Sequence, residues 1–218
     1  MDTRKQQLVD WLKTVAHIPR FDINPASQDA SFRRYFRIGF DGKTRIAMDA
    51  PPEKEDSAKF IRLAQLLQRI GVQVPEIIEA DLSRGFLLLT DLGHTQYLNV
   101  LTADNVDRLY GDALNTLLSL QTTTLAEVRT LPAYDDALLT RELAIFDEWF
   151  VARHLNLQWN AMQRSIWQEA CDVLKRSALE QPQVLVHRDY HARNLMLTPQ
   201  RNPGVLDFQD AVYGPVTY

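Results

Sequence analysis

The chain has 218 residues, 45% of them apolar and 24% charged, enough for one large domain or two small lobes around a buried core. Its 24 Lys and Arg against 28 Asp and Glu give a net charge of −4, which argues against a general nucleic-acid coat. The single cysteine, Cys171, excludes an internal disulfide framework and a cysteine-based zinc site, and no apolar run approaches the ~18 residues of a membrane span or follows the charged N-terminus as in a signal peptide, so a cytoplasmic chain is expected.

Residues 3–17 place Leu8, Trp11, Leu12 and Val15 at helical spacing and predict a short amphipathic helix. Between 20 and 50, Phe21, Ile23, Phe32, Tyr35, Phe36, Ile38, Ile46 and Met48 are interrupted by Asn24-Pro25, Asp29-Ala30-Ser31 and Asp41-Gly42, the pattern of two or three strands. Asp41-Gly42 between apolar runs is a hairpin signal. Pro51-Pro52 end the last of these strands, and Glu53 to Ile70 reads as a helix with Phe60, Leu63, Ala64, Leu66, Leu67 and Ile70 as its stripe. Gly71 stands where a helix C-terminal glycine belongs, while Glu53, Glu55 and Asp56 complement the dipole at the other end. Ile77-Ile78 and Phe86 to Leu89 read as buried strands around the turn at 81–85.

After Gly93 the composition becomes helical. Helices are expected at 103–121, with Thr102 as N-cap, at 135–155 and at 159–180. Leu114, Leu117 and Leu118 read as a core stripe, and Trp149 as a core residue sharing a helix face with Glu142. Short strands are expected at 184–186, 195–197 and 204–207. The domain boundary falls at Asp91-Leu92-Gly93, giving an N-terminal α+β lobe, 1–92, and a mainly helical lobe, 93–218.

Chemistry concentrates near the C-terminus, in His187-Arg188-Asp189-Tyr190-His191-Ala192-Arg193-Asn194 and in Leu206-Asp207-Phe208. An Asp and an Asn five positions apart lie in a polar loop between apolar triplets, and a further Asp follows 13 residues after the Asn. The pattern suits phosphoryl transfer: Asp189 orients a hydroxyl and accepts its proton, while Asn194 and Asp207 offer the hard oxygens that Mg²⁺ prefers. His187 reads as a structural brace for the loop.

At these residues the sequence resembles the protein-kinase-like fold, and within it the aminoglycoside phosphotransferase and choline kinase branch. His187-x-Asp189, Asn194, Leu206-Asp207-Phe208 and Gly214-Pro215 carry the resemblance. It implies a two-lobed α+β fold with a small antiparallel sheet and helix in the first lobe, and ATP and Mg²⁺ as cofactors. It also implies that Asp29 to Arg37, with Ser31, Phe32, Arg33 and Arg34, is the nucleotide-covering loop. Thr90, Asp91, Leu92 and Gly93 are then the hinge whose backbone meets adenine.

Ser-Phe-Arg-Arg-Tyr-Phe-Arg, Met-Asp-Ala-Pro-Pro-Glu, Leu-Leu-Thr-Asp-Leu-Gly and Val-His-Arg-Asp-Tyr-His-Ala-Arg-Asn-Leu-Met are similar to the bacterial N-acetylmuramate/N-acetylglucosamine kinases. That group phosphorylates the anomeric hydroxyl of amino sugars in peptidoglycan recycling. The resemblance implies a small amino-sugar partner; with the charge balance and hydropathy above, a monomer without nucleic-acid or membrane partners is expected. Glu142, Tyr190, His191 and Arg193 are the candidate sugar contacts. Met48 stands near the place of the lysine expected on the third strand to hold the α/β-phosphates; Lys43, Arg33 and Arg34 are the alternatives, the two arginines from the covering loop. The chain ends three residues after Gly214-Pro215, where the resembling families continue into further helix, so the second lobe is expected to be incomplete. Competing readings are a kinase for an aminoglycoside or choline, or a nucleotide-binding pseudokinase. Arg188, His191 and Arg193 favour an anionic acceptor such as N-acetylmuramate over a polycation.

Overall fold

A computed structural model of the chain describes residues 2–27 and 32–218. They form two compact units, Met1–Ser119 with Asp189–Gln209, and Leu120–Arg188 with Asp210–Tyr218. Both alternate between helix and strand, as the α+β expectation requires.

The first unit opens with helix α1 (Thr3–Thr14), capped by Asp2, whose side chain accepts from the Lys5 N–H. Leu8, Trp11 and Leu12 are fully buried, whereas Val15, expected on the same stripe, caps the helix and is exposed. Burying side chains of this size contributes roughly 1.5–3 kcal/mol each, so α1 is held by packing rather than by helix propensity.

The five-stranded antiparallel sheet has the order β1-β2-β3-β5-β4, built from β1 (Asp22–Ser27), β2 (Arg34–Phe40), β3 (Lys43–Asp49), β4 (Ile77–Asp81) and β5 (Phe86–Thr90). The β2–β3 turn sits at Asp41-Gly42, both with positive φ (49° and 69°), the twist a two-residue hairpin needs. Phe36 and Ile38 of β2, Ala47 of β3, and Phe86 and Leu88 of β5 pack with Leu8, Trp11 and Leu12 of α1 in one cluster. Because side chains alternate along a strand, Tyr35, Arg37, Ile46, Met48, Leu87 and Leu89 belong to the opposite face.

Helix α2 (Ser57–Ile70) buries Phe60, Leu63, Ala64, Leu66 and Leu67, and ends on Gly71 at φ 91° with Val72 N–H donating to the Leu67 carbonyl at 3.0 Å. Gly85 (φ 72°) is required by close approach: a Cβ there would fall 1.8 Å from the Ala50 carbonyl oxygen. Helix α3 (Val106–Thr122) starts later than expected. Thr102 is not its cap but opens the preceding turn, its N–H donating to the Asn105 side chain at 2.9 Å. Leu114 and Leu118, expected in the core, are 61% and 58% exposed. A two-stranded ribbon, β7 (Leu195–Met196) with β8 (Gly204–Val205), completes the unit and bridges to Gln73 and Gln96.

In the second unit, the expected helix 135–155 is α4 (Asp136–Ile145) followed by a π-helical stretch (Phe146–His154). Trp149 lies in that stretch and is not core: it is 55% exposed beneath the Arg153 guanidinium, 4.2 Å from the ring centroid. Helix α5 (Ala161–Leu179) carries a capping box from Asn160 and Gln163. Strand β6 (Gln183–Val186) pairs antiparallel with β9 (Val212–Pro215), which the sequence reading missed; Tyr134, Val186 and Val212 form the small core there. No helix among the described residues is long and apolar enough to cross a membrane.

Candidate active site

A cavity of about 560 Å³ opens within the first unit. One wall is the sheet face carrying Tyr35, Arg37, Ile46 and Leu89; another is the segment Thr90-Asp91-Leu92-Gly93 after β5. Arg193, Asn194, Met196, Leu206, Asp207 and Phe208 close the far side, and Phe60 of α2 packs its ring 4.9 Å from that of Phe208. Apolar walls with a few convergent polar groups suit a flat aromatic ligand carrying a charged tail.

The polar end is built by the loop before β7. The His191 N–H donates to the Asp189 carbonyl at 3.1 Å and the Asn194 N–H to the His191 carbonyl at 2.8 Å, so the chain turns tightly. Asn194 Nδ2 then donates to the Asp189 carbonyl at 3.0 Å and lies 3.4 Å from Asp207 Oδ2. Leu206 N–H donates to the Asn194 carbonyl at 2.9 Å, and Gln209 Nε2 donates to Asp207 Oδ1 at 2.6 Å. These bonds join the Asp189 backbone carbonyl and the Asn194 amide in the loop to the Asp207 carboxylate just after the ribbon, while Asp189 itself is exposed and is not among the residues lining the cavity. Asp207 sits at φ 61°, a left-handed conformation that costs a non-glycine residue about 1 kcal/mol or more and is found at functional positions. With Nδ2 engaged, Asn194 has Oδ1 for a cation, and the Asp207 carboxylate supplies a second hard oxygen. A site with two such protein ligands suits Mg²⁺, which keeps waters and phosphate oxygens in its remaining positions.

Other expected site residues fall out differently. Thr90, Asp91, Leu92 and Gly93 all line the cavity. Gly204 lets the ribbon approach there, since a Cβ would come 2.9 Å from Leu92 Cδ1. Ser31 lies outside the described residues. Phe32 is 62% exposed, and its N–H donates to Glu55, which also pairs with Arg33 at 2.7 Å. Neither Phe32 nor Arg33 lines the cavity. Arg34 is a correction: alternation puts it on the α1 face of β2, where it binds the fully buried Asp49 and Asp2. Met48 shares the cavity's sheet face but is completely buried between Tyr35 and Leu87 in the register, off the cavity wall.

Among the sugar-contact candidates, Tyr190 is an anchor, its hydroxyl donating to the Ala113 carbonyl at 2.7 Å, and burial pushes its phenol well up from the ordinary value. His191 and Arg193 are exposed. Glu142 belongs to the second unit, where it binds Arg188 at 2.5 Å and accepts from the Tyr134 hydroxyl; Arg188 is therefore neutralised rather than a free cation.

Sequence reasoning missed Arg37. Its guanidinium grips Asp91 through Nε at 2.7 Å and Nη2 at 3.1 Å, and Nη2 also donates to the Gly93 carbonyl at 2.7 Å. Burial pushes the Asp91 carboxyl up, but hydrogen bonds from Arg37, the Gly93 N–H and Thr44, together with the Arg37 charge, outweigh it and hold Asp91 below its ordinary range; the bond to Asp91 in turn raises Arg37. The available signal was alternation: with Phe36 and Ile38 inward, Arg37 must face the other way.

Sheet, hinge-like segment and polar loop together have the arrangement of a phosphotransferase. The chain belongs to the phosphotransferase enzyme family, whose sequence profile matches residues 22–218. It is 49% identical over 227 residues to the N-acetylmuramate/N-acetylglucosamine kinase of Pseudomonas aeruginosa, covering 100% of this chain and 66% of that relative. It is 42% identical over 220 residues to the enzyme of the same name from Neisseria meningitidis, covering 99% and 64%. The chain spans just under two thirds of the length of these relatives. In three dimensions it is similar to the GDP complex of aminoglycoside 2'-phosphotransferase-IIIa, with a TM-score of 0.67 at 15% identity over 99% of this chain and 75% of that one. ADP-bound aminoglycoside phosphotransferase APH(2'')-Ib gives 0.66 at 14% identity, over 99% and 73%. These structures establish the fold, the protein-kinase-like one expected.

Proposed function

We propose that the chain is the nucleotide-binding and phosphoryl-transfer portion of an ATP-dependent kinase that phosphorylates the anomeric hydroxyl of N-acetylmuramate or N-acetylglucosamine. In this reading residues 1–92 are the nucleotide lobe and 93–218 the catalytic and substrate lobe, in a cytoplasmic monomer whose partner is a small amino sugar rather than nucleic acid or membrane. The observation that carries it is the Asn194 amide bridging the Asp189 backbone carbonyl and the Asp207 carboxylate at one end of a cavity lined by Thr90 to Gly93 at the other. The 49% identity to relatives of that name supplies the substrate class.

Asp189 holds the acceptor hydroxyl and takes its proton as the sugar oxygen bonds to the γ-phosphorus and the bond to the ADP oxygen breaks. Asp207 and Asn194 Oδ1 are the residues that would hold Mg²⁺, which when bound would offset the charge of the phosphates. Ile46, Leu89, Met196 and Leu206 enclose the base; positioning and electrostatics rather than covalent chemistry supply the rate.

The test is incubation with ATP, Mg²⁺ and a panel of muramate and glucosamine derivatives, choline and kanamycin, read by phosphorus NMR alongside calorimetric titration of ATP. An anomeric phosphate from the amino sugars, lost in Asp189→Ala with ATP affinity retained, is the expected result. Phosphate on choline or kanamycin alone overturns the substrate assignment, and absence of ATP binding overturns the whole reading.

A further inference from the structure

Four formally charged side chains line the cavity: Arg37, Asp91, Arg193 and Asp207. Arg37 and Asp91 cancel in a two-point ion pair. Asp207 is held by neutral amides, from Gln209 and Asn194. Arg193 has no ion-pair partner among the described residues. The cations that the sequence put forward for the phosphates are elsewhere: Arg34 is on the other sheet face with Asp49, Arg33 is paired with Glu55, and Lys43 is exposed at the β2–β3 turn.

We infer that Arg193 is the phosphate-binding cation of the nucleotide site, doing for this chain what a strand lysine at Met48 cannot. The inference rests on the nucleotide reading above and deepens it. Arg193 is the third residue of the turn closed by the Asn194 N–H on the His191 carbonyl, so its backbone is fixed directly beside Asn194 and hence beside Asp207. Phosphates gathered at Asn194 and Asp207 are within the reach of a side chain rooted one residue away. A guanidinium presents several N–H donors in a fork that matches phosphate oxygens, and an exposed one starts without a neutralising carboxylate to displace. The assignment moves Arg193 from the sugar to the nucleotide.

The experiment is calorimetric titration of the chain with ATP and with adenosine, each with Mg²⁺, for wild type, Arg193→Ala and Arg193→Lys at two salt concentrations. Arg193→Ala is expected to weaken ATP by about tenfold or more, leave adenosine within about twofold and flatten the salt dependence of ATP binding; Arg193→Lys is expected to recover part of the loss. Unchanged ATP affinity in Arg193→Ala, as a sugar contact would give, overturns the inference and leaves the kinase reading standing. Equal weakening of adenosine and ATP also overturns it, since that reports a disturbed pocket. A wild-type chain that binds neither ligand overturns both readings together.

Discussion

Arg37 on β2 and Asp91 just beyond β5 are joined by two roughly parallel hydrogen bonds, 2.7 and 3.1 Å, although 54 residues separate them. The same guanidinium reaches the Gly93 carbonyl, and the Gly93 N–H returns to Asp91 at 2.9 Å. The Asp91 side chain is 5% exposed and that of Arg37 29%, so the two deletions are not equivalent. Arg37→Ala leaves a buried carboxylate unpaired and is expected to cost about 2–4 kcal/mol; Asp91→Ala leaves a guanidinium that can turn to water and costs less. Chemical denaturation of both single variants and the double variant measures this. A double variant no less stable than Arg37→Ala shows the coupling, and strictly additive losses disprove it.

Asp91 also gives a pH dependence of defined sign. Its folded pKa lies below the ordinary 3.8, so its contribution to stability is fully present above that value and is lost as pH falls through the folded pKa. Asp91→Asn removes this contribution. The melting temperatures of wild type and Asp91→Asn should therefore be furthest apart near neutrality and converge as the pH is lowered below the carboxylate range. A constant difference across that range contradicts the assignment.

Local signals were legible in the sequence where one residue type does one physical job. Asp41-Gly42, Gly71 and the stripe of α2 each act within a few residues, and the Asp189, Asn194 and Asp207 spacing is contained in one short loop–ribbon segment. What escaped was partner choice. Arg34 and Arg37 look alike in the run Arg-Arg-Tyr-Phe-Arg, yet alternation sends one to Asp49 and the other to Asp91. Those partners lie 15 and 54 residues away, beyond any periodicity. Likewise nothing local marks the change to π geometry at Phe146, which removed Trp149 from the expected face.

Asp49 itself makes a sharper test of burial. It is fully buried, while Arg4 and Arg34, its partners at 2.5 Å, keep 30% and 38% of their side chains exposed. Arg4→Ala/Arg34→Ala leaves a bare carboxylate beneath α1 and should cost about 3–5 kcal/mol. Asp49→Ala removes the desolvated charge and lets both guanidinium groups hydrate, so it should cost no more than about 2 kcal/mol. The order of the two denaturation midpoints decides the point: if Asp49→Ala is the more destabilised, the network is held by something other than the buried carboxylate.

The metal-binding role proposed for Asp207 and its left-handed backbone make separate demands, and substitutions distinguish them. At φ 61° the backbone tolerates Asn nearly as well as Asp, because short polar side chains enter the left-handed region more readily than Ala. Asp207→Asn also keeps an oxygen for Gln209 Nε2 to donate to. It should therefore unfold within about 1 kcal/mol of wild type yet lose most Mg²⁺-dependent ATP binding, since the anionic oxygen is gone. Asp207→Ala loses the same binding and about 1 kcal/mol more stability, having neither the hydrogen bond nor the tolerance of positive φ. Paired thermal melts and ATP titrations with and without Mg²⁺ read both quantities. If Asp207→Asn binds ATP with undiminished Mg²⁺ dependence, the carboxylate is there for the loop's shape, and the cation must be held elsewhere.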